Sequence, residues 1–271
     1  MAKEAKKDIR RCRFCDARMF GALVTCQQCK MVNTPEAFNP EDDGTVGLDD
    51  KDPEPLKVIE TGPWDICYRK SSQPGARPGI VLGSVVLLGG VPGAGKSTHA
   101  LQIYGAMAAA TKRQGLYVAA EENKDQIQDR ANRIGMPHRE LFRMLPMGAT
   151  PDMGALLLAR KPAYIVIDSL PGLIGDMEQA ADFCKHMKPY AVELNAPVII
   201  IDHVTKERDI AGLMALQHHV DTVLILEAYD DSPVRHMTVR KNRFGEANFG
   251  IPLKMTVKGL VAHDEDEDDS E

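Results

Sequence analysis

Four short apolar runs punctuate the middle of the chain: Val85–Leu88, Leu116–Ala119, Tyr164–Ile167 and Val198–Ile201. Runs this short, with no polar alternation, suit parallel strands buried on both faces. Between them lie three helical stretches, Ser97–Lys112, Lys124–Ile134 and Glu178–Leu194. Pro189 falls inside the last one and predicts a kink or an early stop, because proline removes a helix donor. Strand and helix in alternation predict a doubly wound α/β sheet. After His218 the pattern changes to Val220–Glu227, Arg235–Lys241, Leu253–Val257 and Leu260–Ala262. These read as antiparallel strands closing the far side of the sheet.

Composition divides the chain into four parts. Residues 1–33 form a short cysteine-rich unit, residues 34–57 a linker rich in Pro, Asp, Glu and Gly, residues 58–263 the α/β domain, and residues 264–271 a disordered acidic tail. A linker of that composition cannot bury a core. The whole has 271 residues, 44% hydrophobic and 27% charged, which is ordinary for a globular protein. No stretch approaches the roughly 18 uninterrupted apolar residues of a membrane span. Lys3, Lys6, Lys7, Arg10 and Arg11 have no apolar segment behind them, so no secretory signal is expected and a cytoplasmic protein is the default. Charge is uneven: the net of −6 includes seven acids in the last eight residues. The folded parts are mildly basic, which is compatible with nucleic acid. The tail reads as a solvated end or as a competitor of DNA phosphate for a basic groove.

Residues 90–97 are Gly90, Val91, Pro92, Gly93, Ala94, Gly95, Lys96 and Ser97, a full match to G-x-x-x-x-G-K-[ST]. An apolar strand precedes the match, and a helix beginning Ser97-Thr98 comes after it. Glycines let successive N–H groups wrap a phosphate, and the helix N-terminus adds positive partial charge. Lys96 reaches the β- and γ-phosphates of such a ligand, and Ser97 ligates Mg²⁺. The pattern therefore predicts an ATP site.

Hydrolysis needs two further carboxylates. Asp168 ends the run Tyr164–Ile167, where a neighbouring parallel strand would bring it beside the phosphate loop as part of the Mg²⁺ shell. Glu121 and Glu122 come just after the run Leu116–Ala119. Glu121 is the expected base that polarises water, with Glu122 second. His203 lies just past another buried strand and is a candidate γ-phosphate sensor, with Lys206 beside it as a candidate DNA contact.

Cys12-x2-Cys15 and Cys26-x2-Cys29 are two knuckles separated by ten residues. Four thiolates complete a tetrahedral Zn²⁺ site; redox-active dithiols are the alternative reading. Arg10, Arg11, Arg13 and Arg18, with Phe14 and Phe20, offer cations and stacking rings to DNA. Cys67 and Cys184 read as ordinary residues.

Three segments carry a family resemblance. Leu116–Gly135 resembles the E-E-x-x-x-Q-I-x-x-R-A-x-R-x-G segment of the bacterial RadA (Sms) ATPases. Residues 202–223, with Asp202-His203-Val204-Thr205-Lys206 and His219-Val220-Asp221-Thr222-Val223, resemble its next segment. Lys241-Asn242-Arg243-Phe244-Gly245 matches the family pentapeptide K-N-R-F-G. The cysteine unit resembles the family's zinc finger in spacing. The resemblance implies a RecA-like P-loop ATPase core assembled as a ring and acting on branched or single-stranded DNA in recombination and repair, with recombinase or replication proteins as partners. It also implies that Lys241 and Arg243 reach into the neighbouring subunit's nucleotide. Two residues apart on a strand, they point the same way. The sequence departs from the family at Asp202, which replaces a glycine, and at Leu213 and Met214, which replace Pro and Lys. It also lacks the family's C-terminal protease-like domain, so a compact version is expected. Besides a DNA-dependent ATPase motor, two other functions share these motifs: a replicative-type ring helicase and an ATP-switched mediator that does not hydrolyse. The pentapeptide favours the motor over the helicase, and Glu121 favours it over the mediator.

Overall fold

The computed structural model describes residues 9–12, 17–20, 26, 28, 57–61, 79–146, 148, 152–203, 215–229 and 232–263. Backbone contacts divide the chain into two units. One is Met1–Glu54 with Pro151–Ala159, and the other is Pro55–Thr150 with Arg160–Glu271. In the first, β1 (Ile9–Arg11) and β2 (Arg18–Phe20) form an antiparallel ribbon with Ile9 opposite Phe20. Cys12 lies just after β1, and its N–H donates to the Ala17 carbonyl at 2.9 Å. Cys12 and Cys26 are buried, whereas Cys15 and Cys29 lie outside the described residues.

The second unit is built on a nine-stranded sheet. Its strands in chain order are β5 (Val85–Gly90), β6 (Leu116–Ala119), β7 (Met144–Leu145), β8 (Ile165–Asp168), β9 (Val198–Ile201), β10 (Thr222–Ala228), β11 (Val234–Asn242), β12 (Phe249–Thr256) and β13 (Gly259–Ala262). Across the sheet they run β13-β12-β11-β10-β5-β9-β8-β6-β7. A separate small ribbon pairs β3 (Val58–Ile59) with β4 (Ile80–Val81). The helices of this unit are α1 (Lys96–Thr111), α2 (Lys124–Arg133), α4 (Leu170–Leu173) and α5 (Met177–Leu194), whereas α3 (Met153–Arg160) falls, all but its last residue, in the first unit.

Strands β10, β5, β9, β8, β6 and β7 are parallel neighbours. Only β11, β12 and β13 join antiparallel. The expectation of an antiparallel group from Val220 onward is thus corrected at its first member: β10 lies parallel to β5, with Thr222 opposite Val86. Its run Val223–Leu226 is buried like the parallel strands beside it.

Val85–Leu88, Ile165–Ile167 and Val198–Ile201 are fully buried on both faces. Val86, Leu88, Ile199 and Ile201 share one core cluster with Leu101, Ile103, Tyr104 and Met107 of α1. Each such side chain contributes roughly 1.5–3 kcal/mol by leaving water. Helix α5 does not stop early at Pro189. It continues to Leu194, where Asn195 caps it in a left-handed conformation. Tyr190 and Ala191, just past the proline, are buried, and that packing offsets the missing backbone bond.

Candidate nucleotide site

The parallel strands all end on one edge, and the loops leaving β5, β6, β8 and β9 there hold the predicted site. The phosphate loop leaves β5 at Gly90. A Cβ at Gly90 would sit 2.3 Å from the Leu226 carbonyl oxygen, and its φ of +153° suits only glycine. Gly95, at φ +103°, is the N-cap of α1. Thr98 is buried in the first turn. The Lys96 ammonium donates to the carbonyls of Gly90 at 2.7 Å and Val91 at 2.9 Å. Burial lowers its pKa, while Asp168, Asp202 and Glu121 pull the other way. Phosphate oxygens are stronger acceptors than these carbonyls, so the ammonium is poised to exchange them for a polyphosphate.

Asp168 ends β8 opposite Ala119 of β6. Its Oδ1 accepts from the Ser97 hydroxyl at 3.1 Å, and its Oδ2 accepts from the Tyr117 hydroxyl. Burial pushes the Asp168 carboxyl up, and the Tyr117 and Ser97 hydrogen bonds oppose that rise. Ser97 and Asp168 together form a hard, all-oxygen donor pair, which fits Mg²⁺. A buried carboxylate beside a hydroxyl is also a place where a cation lowers the desolvation cost.

Glu121 and Glu122, though adjacent in the chain, have different partners. Asn123 and Gln126 form a reciprocal capping box that fixes the start of α2. From α2, Arg130 reaches back and grips both oxygens of Glu122, one of them at 2.6 Å. Glu122 is therefore paired. Glu121 instead accepts from the Ser169 hydroxyl and lies 3.5 Å from Nε2 of His203. It keeps 41% exposure, so of the two acids it is the one open to a water. His203, just past the end of β9, thus sits against Glu121. Lys206 lies outside the described residues.

Lys241 and Arg243 are placed elsewhere. Asn242 pairs with Thr222, which pairs with Val86 near the start of β5. The phosphate loop leaves at Gly90, four residues and about 13 Å further along the strand. At the near end, the Lys241 ammonium donates to the carbonyls of Gln217 at 2.5 Å and Val220 at 2.8 Å. Arg243 donates to Oδ1 of Asp221 at 3.2 Å. Strand β11 ends at Asn242, so Arg243 lies in the turn beyond it and the expected shared strand face with Lys241 is corrected; neither side chain joins the phosphate loop of its own chain.

Three contributors escape a reading of the sequence. Tyr117 reads there only as part of an apolar strand; its signal is a hydroxyl in a run otherwise apolar. Ser169 holds Glu121. Asp221, buried at 1% exposure, accepts from Lys188 at 2.6 Å, from the Val85 N–H at 2.9 Å and from Arg243. The four residues that meet at this cluster lie between positions 85 and 243, so no local pattern announces it.

A family described as "AAA domain" matches residues 64–209, more than half of the chain. The chain belongs to this AAA domain family. The match spans the phosphate loop, Glu121, Asp168 and His203. The chain is also similar to curated proteins described as "DNA repair protein RadA". The Haemophilus influenzae protein is 37% identical over 193 residues, 67% of this chain and 41% of that one. The Aquifex aeolicus protein is 32% identical over 265 residues, 92% of this chain and 58% of that one. This AAA chain thus spans about half the length of the curated relatives it matches. A KaiC-like protein from Pyrococcus horikoshii shares the fold, with a TM-score of 0.61 and 17% identity over 78% of this chain and 100% of the other. The core is a RecA-like P-loop ATPase fold. Among the described residues no helix is long and apolar enough to cross a membrane. Among them, too, no three His, Cys, Asp or Glu side chains converge on a metal-sized site, two of the four knuckle cysteines lying outside.

Proposed function

We propose that this chain is a DNA-dependent ATPase of the RadA type, acting on recombination or repair intermediates as a motor on branched or single-stranded DNA. The observation that carries hydrolysis is the meeting of Lys96, Ser97, Asp168 and Glu121 at one edge of the sheet. Lys96 holds the β- and γ-phosphates. Ser97 and Asp168 hold Mg²⁺, which when bound neutralises phosphate charge. Glu121 orients the attacking water, and Ser169 and His203 steady its carboxylate. The similarity to RadA supports DNA as the effector and repair as the setting. His203 and Lys206 lead from the base into the segment that would sense DNA.

Charge supports a homo-oligomeric, ring-like arrangement. Around Lys96 stand three carboxylates, Asp168, Asp202 and Glu121. A triphosphate would add negative charge beside these acids, and cations beyond Lys96 and Mg²⁺ would stabilise it. Lys241 and Arg243, displaced to the opposite end of β5, are presented to a neighbouring copy's nucleotide. A guanidinium delivered in this way stabilises transferring charge and couples turnover to assembly. Other recombination or replication proteins would share the same DNA.

The N-terminal unit holds one Zn²⁺ through Cys12, Cys15, Cys26 and Cys29, since so short a segment has little core of its own. The burial of Cys12 and Cys26 supports this. Purified protein should carry about one zinc per chain by elemental analysis, and Cys12→Ser should lose it. Zinc-free protein with intact thiols would overturn this assignment.

The decisive functional experiment measures ATP turnover with and without single-stranded DNA, beside strand displacement on forked substrates. Stimulation by DNA is expected. Turnover indifferent to every DNA form would contradict the proposal.

A further inference from the structure

The two oxygens of Asp168 have different partners. One accepts from Ser97 and faces the metal position; the other accepts from Tyr117. Tyr117 lies in the middle of β6, wholly buried. It shares a strand face with Ala119, which pairs directly with Asp168, so the phenol lies along that same face. Its ring is held on two sides. It packs edge-on to Tyr104 of α1 with centroids 6.2 Å apart, and against Phe142 at 5.5 Å. Helix α1 also begins with Lys96 and Ser97. One helix therefore both presents Ser97 and braces the ring that aims at Asp168.

We infer that Tyr117 is a positioning residue: its hydroxyl anchors one oxygen of Asp168, so that the other is presented with Ser97 to Mg²⁺. The inference rests on the proposed Mg²⁺ role of Ser97 and Asp168. A phenylalanine would fill the same space and leave Oδ2 without its donor. The carboxylate, held by one oxygen only, would lose its fixed orientation. Outer partners of metal-ligating carboxylates typically account for about 10–100-fold in metal affinity. Tyr104 supplies the comparison within the same cluster. Its hydroxyl donates to the Leu141 carbonyl at 3.3 Å, away from Asp168.

The test uses the full chain and a fluorescent, non-hydrolysable ATP analogue. Its Kd is measured in EDTA and in saturating Mg²⁺, and the ratio of the two reads the metal's contribution. Tyr117→Phe should reduce that ratio about tenfold, while the Kd in EDTA stays at its wild-type value; the orphaned Oδ2 should lower the melting temperature but leave the protein folded at the assay temperature. Tyr104→Phe, which deletes a neighbouring phenol, should leave the ratio unchanged. A wild-type ratio in Tyr117→Phe overturns the inference, as does an equal fall in both variants. Asp168→Asn tests the reading beneath it. If Asp168→Asn keeps the wild-type ratio, the Mg²⁺ assignment itself fails; if it loses the ratio and Tyr117→Phe does not, only the positioning role fails.

Discussion

At the carboxyl end of β5, the buried Lys96 faces the carboxylates of Asp168, Asp202 and Glu121, and its ammonium rests on loop carbonyls. At the amino end of the same strand, the buried Asp221 is met by Lys188, Arg243 and the Val85 N–H. Both clusters bury one ion deeply. The amino-terminal cluster is closed: its carboxylate has a donor on each oxygen and two cations beside it. The phosphate end is open: the Lys96 ammonium donates to two loop carbonyls, and Glu121 keeps 41% exposure. A balanced buried cluster is what a fold needs for itself, and an unbalanced one is what a ligand must complete. In the proposed ring, Arg243 would serve both ends. It is 57% exposed, so its hold on Asp221 is loose enough to exchange for a phosphate.

The contrast between the two ends makes four demands on mutants. The largest effect is expected at the open end: Lys96→Ala should cut ATP turnover by on the order of 10²–10³ or more, with melting little changed, and near-normal turnover would rule out the phosphate loop as the site. Next comes the closed end. Asp221→Ala orphans the buried Val85 N–H and separates two cations from their acid. It should cost about 1–3 kcal/mol of stability by urea denaturation; no loss would mean that the cluster is not structural.

Asp168→Asn should act in the opposite sense, with a rise in Tm. Folding raises the Asp168 pKa through burial. The unfolded chain therefore gives up this proton first. The resulting penalty is absent well below about pH 3.9, grows as pH rises through the unfolded carboxylate range, and is full once pH exceeds the folded pKa. The gain in Tm should thus be present at pH 7 and fade towards pH 3. A gain independent of pH would contradict the cause given. The smallest effect is on stability in Arg243→Ala, within about 0.5 kcal/mol, because that side chain is mostly in solvent; a large loss would make it a structural residue.

Much of the sheet is legible in the sequence because strands buried on both faces leave an unbroken apolar signature. Leu116–Ala119 and Val198–Ile201 match their predicted bounds. The phosphate loop is local, so its eight residues state their own geometry. What escapes is long-range. Strand β10 reads like its antiparallel successors until pairing with β5 sets its direction. Pro189 reads as a kink or an early stop, yet the helix continues, with Tyr190 and Ala191 buried just past it. The Tyr117 hydroxyl and the Asp221 cluster depend on partners at least 22 residues away. Arg130, by contrast, lies only eight residues from Glu122, yet nothing in spacing alone shows that it takes Glu122 and leaves Glu121 exposed.

The central claim is that the open end of one subunit is completed by Arg243 of the next, and mixed mutants test it most directly. An Arg243→Ala chain keeps an intact phosphate loop, and a Lys96→Ala chain keeps an intact finger. Each alone should be inactive, the loss of a transition-state arginine costing roughly 10³–10⁵ in related phosphate-loop enzymes. After the two are mixed, with subunit exchange verified by light scattering, hydrolysis should return well above either mutant alone. If the subunits demonstrably exchange and no activity returns, Arg243 does not act across the interface.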